Sequence, residues 1–193
     1  MSDDAIWALG RGTGLTALML LTVSIALGVT ARSGRPLPGL PRFAVSSLHR
    51  SVALGATLLI GLHVATMVID PYAQVDLVDA VLPFRAGYEP LWVGLGTLAL
   101  DLLLVVVVTG LMRHRLRPNV FRIIHLGTYL LWPVAFAHAL GSGTDTGHGW
   151  MIAICAVCAI VVVAAVVARL VLPDEFAGPR RSARVARPMA GVK

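Results

Sequence analysis

Four of the six histidines in this chain fall in two apolar stretches at nearly equal spacing: His49 and His63 are fourteen residues apart, His125 and His138 thirteen. An ionisable side chain at lipid depth is costly and is usually kept for a function. The spacings correspond to about 21 Å and about 19.5 Å of helical rise, so two parallel helices would present two His–His pairs at matched depths. One imidazole from each helix can bind a heme iron from opposite sides and fill both axial positions. Such an iron has no open position for oxygen and exchanges single electrons instead. Two of them, one per leaflet, would form a conduction path through an insulating layer. For a single membrane histidine, polar bonding between helices is the plainer reading; four in two matched tiers favour ligation.

The rotational phase of the two pairs differs. Fourteen residues at ~100° each fall about 40° short of four turns, which keeps His49 and His63 on one face. Thirteen residues leave His125 and His138 about 140° apart on an ideal helix, so something must distort that helix. Pro133 lies between them, and a proline removes a helix hydrogen bond and bends the axis. A distortion at Trp132-Pro133 is therefore expected. His114, in RHRLR, and His148, in GHGW, fall in loops and are left out of the site.

The elements that must position these residues are membrane helices. The 193-residue chain is 57% apolar and only 13% charged, with a mean hydropathy of +0.82, whereas a soluble domain carries about a quarter charged residues. Five segments, approximately 13–30, 48–69, 91–112, 121–140 and 150–172, reach the roughly 20 apolar residues that cross a bilayer. The expected fold is an all-α integral membrane bundle of about five helices. Its heme-binding domain spans 1–172, with a core at 46–146, and a basic, disordered tail follows at 173–193.

The net charge of +6 and pI near 10.3 reflect topology, not nucleic acid. Fourteen of the 16 basic residues flank the connections after segments one and three or follow segment five (Arg32, Arg35, Arg42, Arg50; Arg113, Arg115, Arg117, Arg122; Arg169, Arg180, Arg181, Arg184, Arg187, Lys193). By the positive-inside rule the amino terminus lies outside and the carboxyl terminus in the cytoplasm, with the basic residues gripping anionic lipid. His49 and His125 then form the inner tier, His63 and His138 the outer. The start, Met1-Ser-Asp-Asp4, is acidic, so segment one reads as a helix that stays in the membrane and not as a signal peptide.

Other residues receive plainer readings. Cys155 and Cys158 lie inside segment five with no charged neighbour to lower a thiol pKa, and are expected to pack. No C-x-x-C-H occurs, which excludes covalent heme attachment. Arg50 and Arg122 adjoin the inner histidines, where a heme propionate needs a cation, although anchoring at the membrane face explains them equally. Asp101, mid-membrane in segment three, could relay protons or line a quinone site, and is expected rather to bond to a neighbouring helix. Trp7, Trp92 and Trp150 end segments as interface aromatics do, and Tyr129 and Trp132 are read as packing. The connection Asp70–Pro90, acidic and apolar by turns, suggests a short interfacial helix that covers the outer tier or docks an acceptor.

The run from about 46 to 146 resembles the ferric-reductase-like transmembrane domain. That domain is shared by ferric reductases, NADPH oxidases and the heme-binding membrane subunit of the bacterial periplasmic methionine-sulfoxide reductase. The likeness rests on the two histidine pairs on alternate helices, on PFRAGYEPLWVGLGTLAL, and on FRIIHLGTYLLWPVAFAHALGSGTD. It implies two b-type hemes held by His49, His63, His125 and His138, paired as above, with electrons passing outward. The donor would be a cytoplasmic flavoprotein or quinol, so flavin or quinone enters through a partner. The acceptor would be an extracytoplasmic protein or ferric iron, and the setting a bacterial inner membrane. Family members often have six helices where this chain reads as five, apparently lacking the first. No glycine-rich nucleotide-binding segment follows segment five. Two other classes compete: a metal-ion transporter using the histidines, and an anchor for a redox partner. The two-tier spacing disfavours the transporter, because ligands of one ion must lie within a few Å of one another.

Overall fold

The apolar runs and the prolines that precede or open them dictate the elements. In the computed structural model, which describes residues 3–33 and 41–171, the chain forms six helices: α1 (Asp3–Ser33), α2 (Arg42–Ile69), α3 (Pro90–Leu111), α4 (Pro118–Leu126), α5 (Thr128–Ser142) and α6 (Gly149–Val171). Among the described residues there is no strand. Pro90 and Pro118 stand at the first position of α3 and α4, where the missing N–H costs nothing. Five spans are long and apolar enough to cross a membrane, the fourth being α4 and α5 together. The protein is a multi-pass membrane protein. The carboxyl-terminal tail expected at 173–193 lies outside the described residues, as does Arg35.

α1 is the organising helix. It packs closely on α2, α5 and α6, while α3 packs on α4 and α5; α2 packs closely on α1 alone. One core cluster joins Leu18 of α1, Trp132 of α5, and Cys158 and Val162 of α6. A second joins Ala99 and Leu103 of α3 to Leu131 of α5. Both cysteines are buried and free, in the packing role expected of them. Threonine hydroxyls in α1 donate back to carbonyls one turn earlier, as Thr13 does to Leu9 at 2.7 Å and Thr22 to Leu18 at 2.9 Å, which satisfies them without water. Thr22 also accepts from the buried Trp132 indole at 2.9 Å. Large apolar side chains such as Leu58, Val105, Ile160 and Leu170 point outward, a pattern costly in water and suited to lipid.

Three expectations are corrected. The fourth span is interrupted at Gly127, and the helix then runs unbroken through Pro133. At the break the Gly127 N–H donates to Ile124 O at 2.8 Å, a tighter turn than the α-helical one. Such turns advance ~120° per residue instead of ~100°, which moves His125 toward the face of His138. The Asp70–Pro90 connection forms successive turns and no helix. Pro83 lacks an N–H, and Gln74, Phe84 and Glu89 adopt positive φ of 50°, 65° and 45°, all incompatible with helix. Asp101 is half-buried and bonds to no described side chain or backbone group, so the expected bond to a neighbouring helix is not made.

Candidate functional site

The four histidines meet as two pairs in the gap that α2 leaves toward α4 and α5. The His49 and His125 ring centres are 6.3 Å apart and the planes cross at 84°; for His63 and His138 the values are 6.2 Å and 70°. No described residue supplies a third ligand to either pair, since no group of three or more His, Cys, Asp or Glu gathers anywhere among the described residues.

Three of the four rings are oriented by the backbone. The Nδ1–H of His49 donates to Ser24 O at 2.9 Å, that of His63 to Gly10 O at 2.8 Å, and that of His138 to Trp92 O at 2.8 Å. Each bond fixes the tautomer and leaves Nε2 with its lone pair. Each ring also lies on a glycine four residues beyond the accepting carbonyl. A Cβ at Gly28 would meet His49 Cε1 at 3.3 Å, one at Gly14 would meet His63 Nδ1 at 2.9 Å, and one at Gly96 would meet His138 Cε1 at 2.7 Å. The spacing has a stereochemical reason. In a helix the side chain of residue i+4 leans back over the carbonyl of residue i, so a glycine there uncovers it. That carbonyl still has a lone pair beyond the one used in the helix. His125 differs: its Nδ1 is buried without a hydrogen-bond partner among the described residues, and its ring is stacked on Phe121 at 5.2 Å.

The His63–His138 pair, the outer one if the charge pattern sets the topology, opens into a cavity of about 690 Å³ that extends toward Trp7, Arg11, Tyr72 and Trp150. The Asp70–Pro90 loop forms part of its wall. That loop is tied down where Thr97 donates to Asp79 O at 2.6 Å, and where Gly94 admits the Phe84 backbone, which a Cβ would meet at 2.6 Å. Arg11 pairs with Asp145, donates to Thr144, and lies over the Trp7 ring at 4.6 Å. It thus joins α1 to the turn before α6 at the outer end.

Heme fits this arrangement. A metal–imidazole bond of about 2 Å, plus about 1.1 Å from nitrogen to ring centre, places two rings on one iron with centres roughly 6.2 Å apart. Both pairs match that separation. The helices that carry them are not packed on each other, as a plate between them requires, and the outer cavity has the size of a ligand site, roughly 300–1,000 Å³.

Arg50 and Arg122 are exposed and bonded to no described residue, one position after His49 and three before His125. His114 and His148 are exposed in connections, away from both pairs. Residue type and spacing do not by themselves single out Gly14, Gly28, Gly96, Gly127 or Arg11 as site residues. One signal was available: Gly14 and Gly28 are spaced by the same fourteen residues as His49 and His63.

No curated protein and no solved structure matches the chain. The model of the ferric reductase like transmembrane component matches residues 13–136, about two thirds of the chain. It takes in most of α1 as well as His49, His63 and His125, and stops just short of His138. The chain belongs to the ferric reductase like transmembrane component family.

Proposed function

We propose that this chain is a transmembrane electron-transfer subunit holding two bis-histidine b-type hemes. His49 and His125 would be the ligands of the inner one, His63 and His138 of the outer one. The observation that carries the reading is the pair of ring separations, 6.3 and 6.2 Å, in two tiers. Heme supplies reversible one-electron exchange at an iron closed to oxygen. The chain's own residues orient and insulate. Backbone carbonyls of α1 and α3 hold three imidazoles in the tautomer that ligates, and Leu18, Leu131 and Trp132 keep water from the space between the tiers. Arg50 and Arg122 are suited to inner propionates.

On this reading residues 1–172 are the heme-binding unit and 173–193 a cytoplasmic basic tail. The charge distribution supports an outside amino terminus, and a bacterial inner membrane is the setting that the family likeness implies. Electrons enter from a cytoplasmic flavoprotein or quinol and leave to an external protein or ferric iron. A metal-ion transporter finds less support, because the histidines gather in twos, in two tiers.

The test is a dithionite-reduced minus air-oxidised spectrum of the purified protein, with heme quantified per chain. The expected result is a low-spin b-type spectrum and two hemes, falling to one in His63→Ala. A colourless protein after expression with ample heme overturns the reading. The near-perpendicular rings add a second signature. Crossed axial imidazoles leave two iron d orbitals nearly degenerate, so the oxidised protein should show highly anisotropic, large-g low-spin EPR signals.

A further inference from the structure

The two tiers are alike in ring separation and unlike in what stands behind the rings. In the outer tier both histidines donate Nδ1–H to a carbonyl uncovered by a glycine, His63 to Gly10 over Gly14 and His138 to Trp92 over Gly96. In the inner tier His49 donates to Ser24 over Gly28, whereas the His125 Nδ1 is buried with no acceptor among the described residues. The ring of His125 is held by stacking on Phe121, at the end of a nine-residue helix that buries none of its residues.

An Nδ1–H···O=C bond makes an imidazole more basic and a stronger donor to a metal through Nε2. A stronger donor stabilises ferric over ferrous iron and lowers the reduction potential. It also makes the ligand harder to displace, because the ring cannot turn away without losing its hydrogen bond. Resting on the two-heme reading above, we propose that Gly14, Gly28 and Gly96 are positioning residues that set the ligand strength of three histidines. His125, which lacks such a cradle, makes the inner heme the higher-potential and more readily opened of the two. Gly96 and Gly14 then act on the outer heme alone, and Gly28 on the inner. Their effects are graded by the room for a methyl group, least at Gly96 and most at Gly28.

The test uses the full chain in lipid nanodiscs, after heme has been counted. A potentiometric titration of the reduced α-band should resolve two one-electron components. Gly96→Ala should raise the lower component and leave the upper in place, and Gly14→Ala should do the same less strongly. Gly28→Ala should raise the upper component alone, by the smallest amount. Carbon monoxide added to the reduced protein should bind only at the upper component, as His125 gives way. Phe121→Leu, which adds no atoms to a tight contact, covers the case in which an alanine variant fails to take up heme. It should increase carbon monoxide binding at the upper component and leave the lower unmoved. Coincident wild-type components, an upper component that moves in Gly96→Ala, or carbon monoxide binding at the lower component would each overturn the assignment while leaving two hemes intact. A wild-type chain without heme would overturn the underlying function and this assignment with it.

Discussion

The two ends of this bundle, outer and inner on the topology that the charge pattern predicts, hold the same pair of side chains at the same separation, and they are built differently. At the outer end both rings are bonded to backbone, a tethered loop walls the cavity, and the Arg11–Asp145 pair joins the first helix to the turn before the last. At the inner end one ring is bonded to backbone and the other rides on α4, joined to α5 through Gly127. Ligand identity and spacing alone would predict two equivalent sites. The difference between them lies in neighbouring helices, in which carbonyls are uncovered and which element is anchored.

The largest effect that would sharpen this contrast is expected at the break itself. A Cβ at Gly127 would meet Ile124 O at 2.8 Å, and relieving that contact costs about 1–3 kcal/mol in a packed setting. Gly127→Ala should therefore deplete the inner heme and spare the outer, as read by heme per chain and by loss of one redox component. Equal loss from both sites would erase the distinction between the ends. Next comes the outer clasp. Arg11 and Asp145 are mostly buried, so Arg11→Gln should cost between the about 1 kcal/mol of an exposed pair and the about 3 of a buried one. It should lower the temperature at which the outer component bleaches and leave the inner one unchanged. Trp132→Phe should cost about 1–2 kcal/mol by orphaning the Thr22 hydroxyl on its Trp132 side. That loss should appear as a lower melting temperature of the whole bundle, with both components kept. The smallest effect is expected for Pro133→Ala. Because α5 passes through Pro133 without interruption, both hemes should remain at normal occupancy; loss of either would return the phase correction to the proline.

Much of this could be read from residue order. Five spans follow from apolar runs, and the choice of which histidines meet follows from equal spacing on alternate segments. The burial of Cys155 and Cys158 follows from the lack of any charged neighbour. What could not be read depends on contacts across the bundle. His125 and His138 look out of phase by simple counting, and both Gly127 and Pro133 are helix-weakening residues, so residue type alone does not say which one yields. The role of Gly14 or Gly96 depends on a ring contributed by another helix. The Asp70–Pro90 loop looked helical from its alternation of acidic and apolar residues, yet the φ values at Phe84 and Glu89 are set by docking on Gly94 and by the start of α3. A membrane carboxylate usually finds a partner, yet the position of Asp101 on α3 brings no bonding group of a described residue within reach.

The matched fourteen-residue intervals, Gly14 to Gly28 on α1 and His49 to His63 on α2, place a length constraint on this stretch. A loop absorbs an extra residue; a helix does not. One residue inserted between Gly14 and Gly28 would turn everything on one side by about 100° and shift it 1.5 Å, so one histidine would keep its cradle while the other faced an ordinary side chain. The same holds for an insertion between His49 and His63. Paired insertions, one in each helix, would match the lengths again but leave both the glycine and the histidine turned about 100° off the shared face. Across diverging sequences α1 and α2 should therefore vary freely in composition between these positions and hardly at all in length, with gaps confined to the connections.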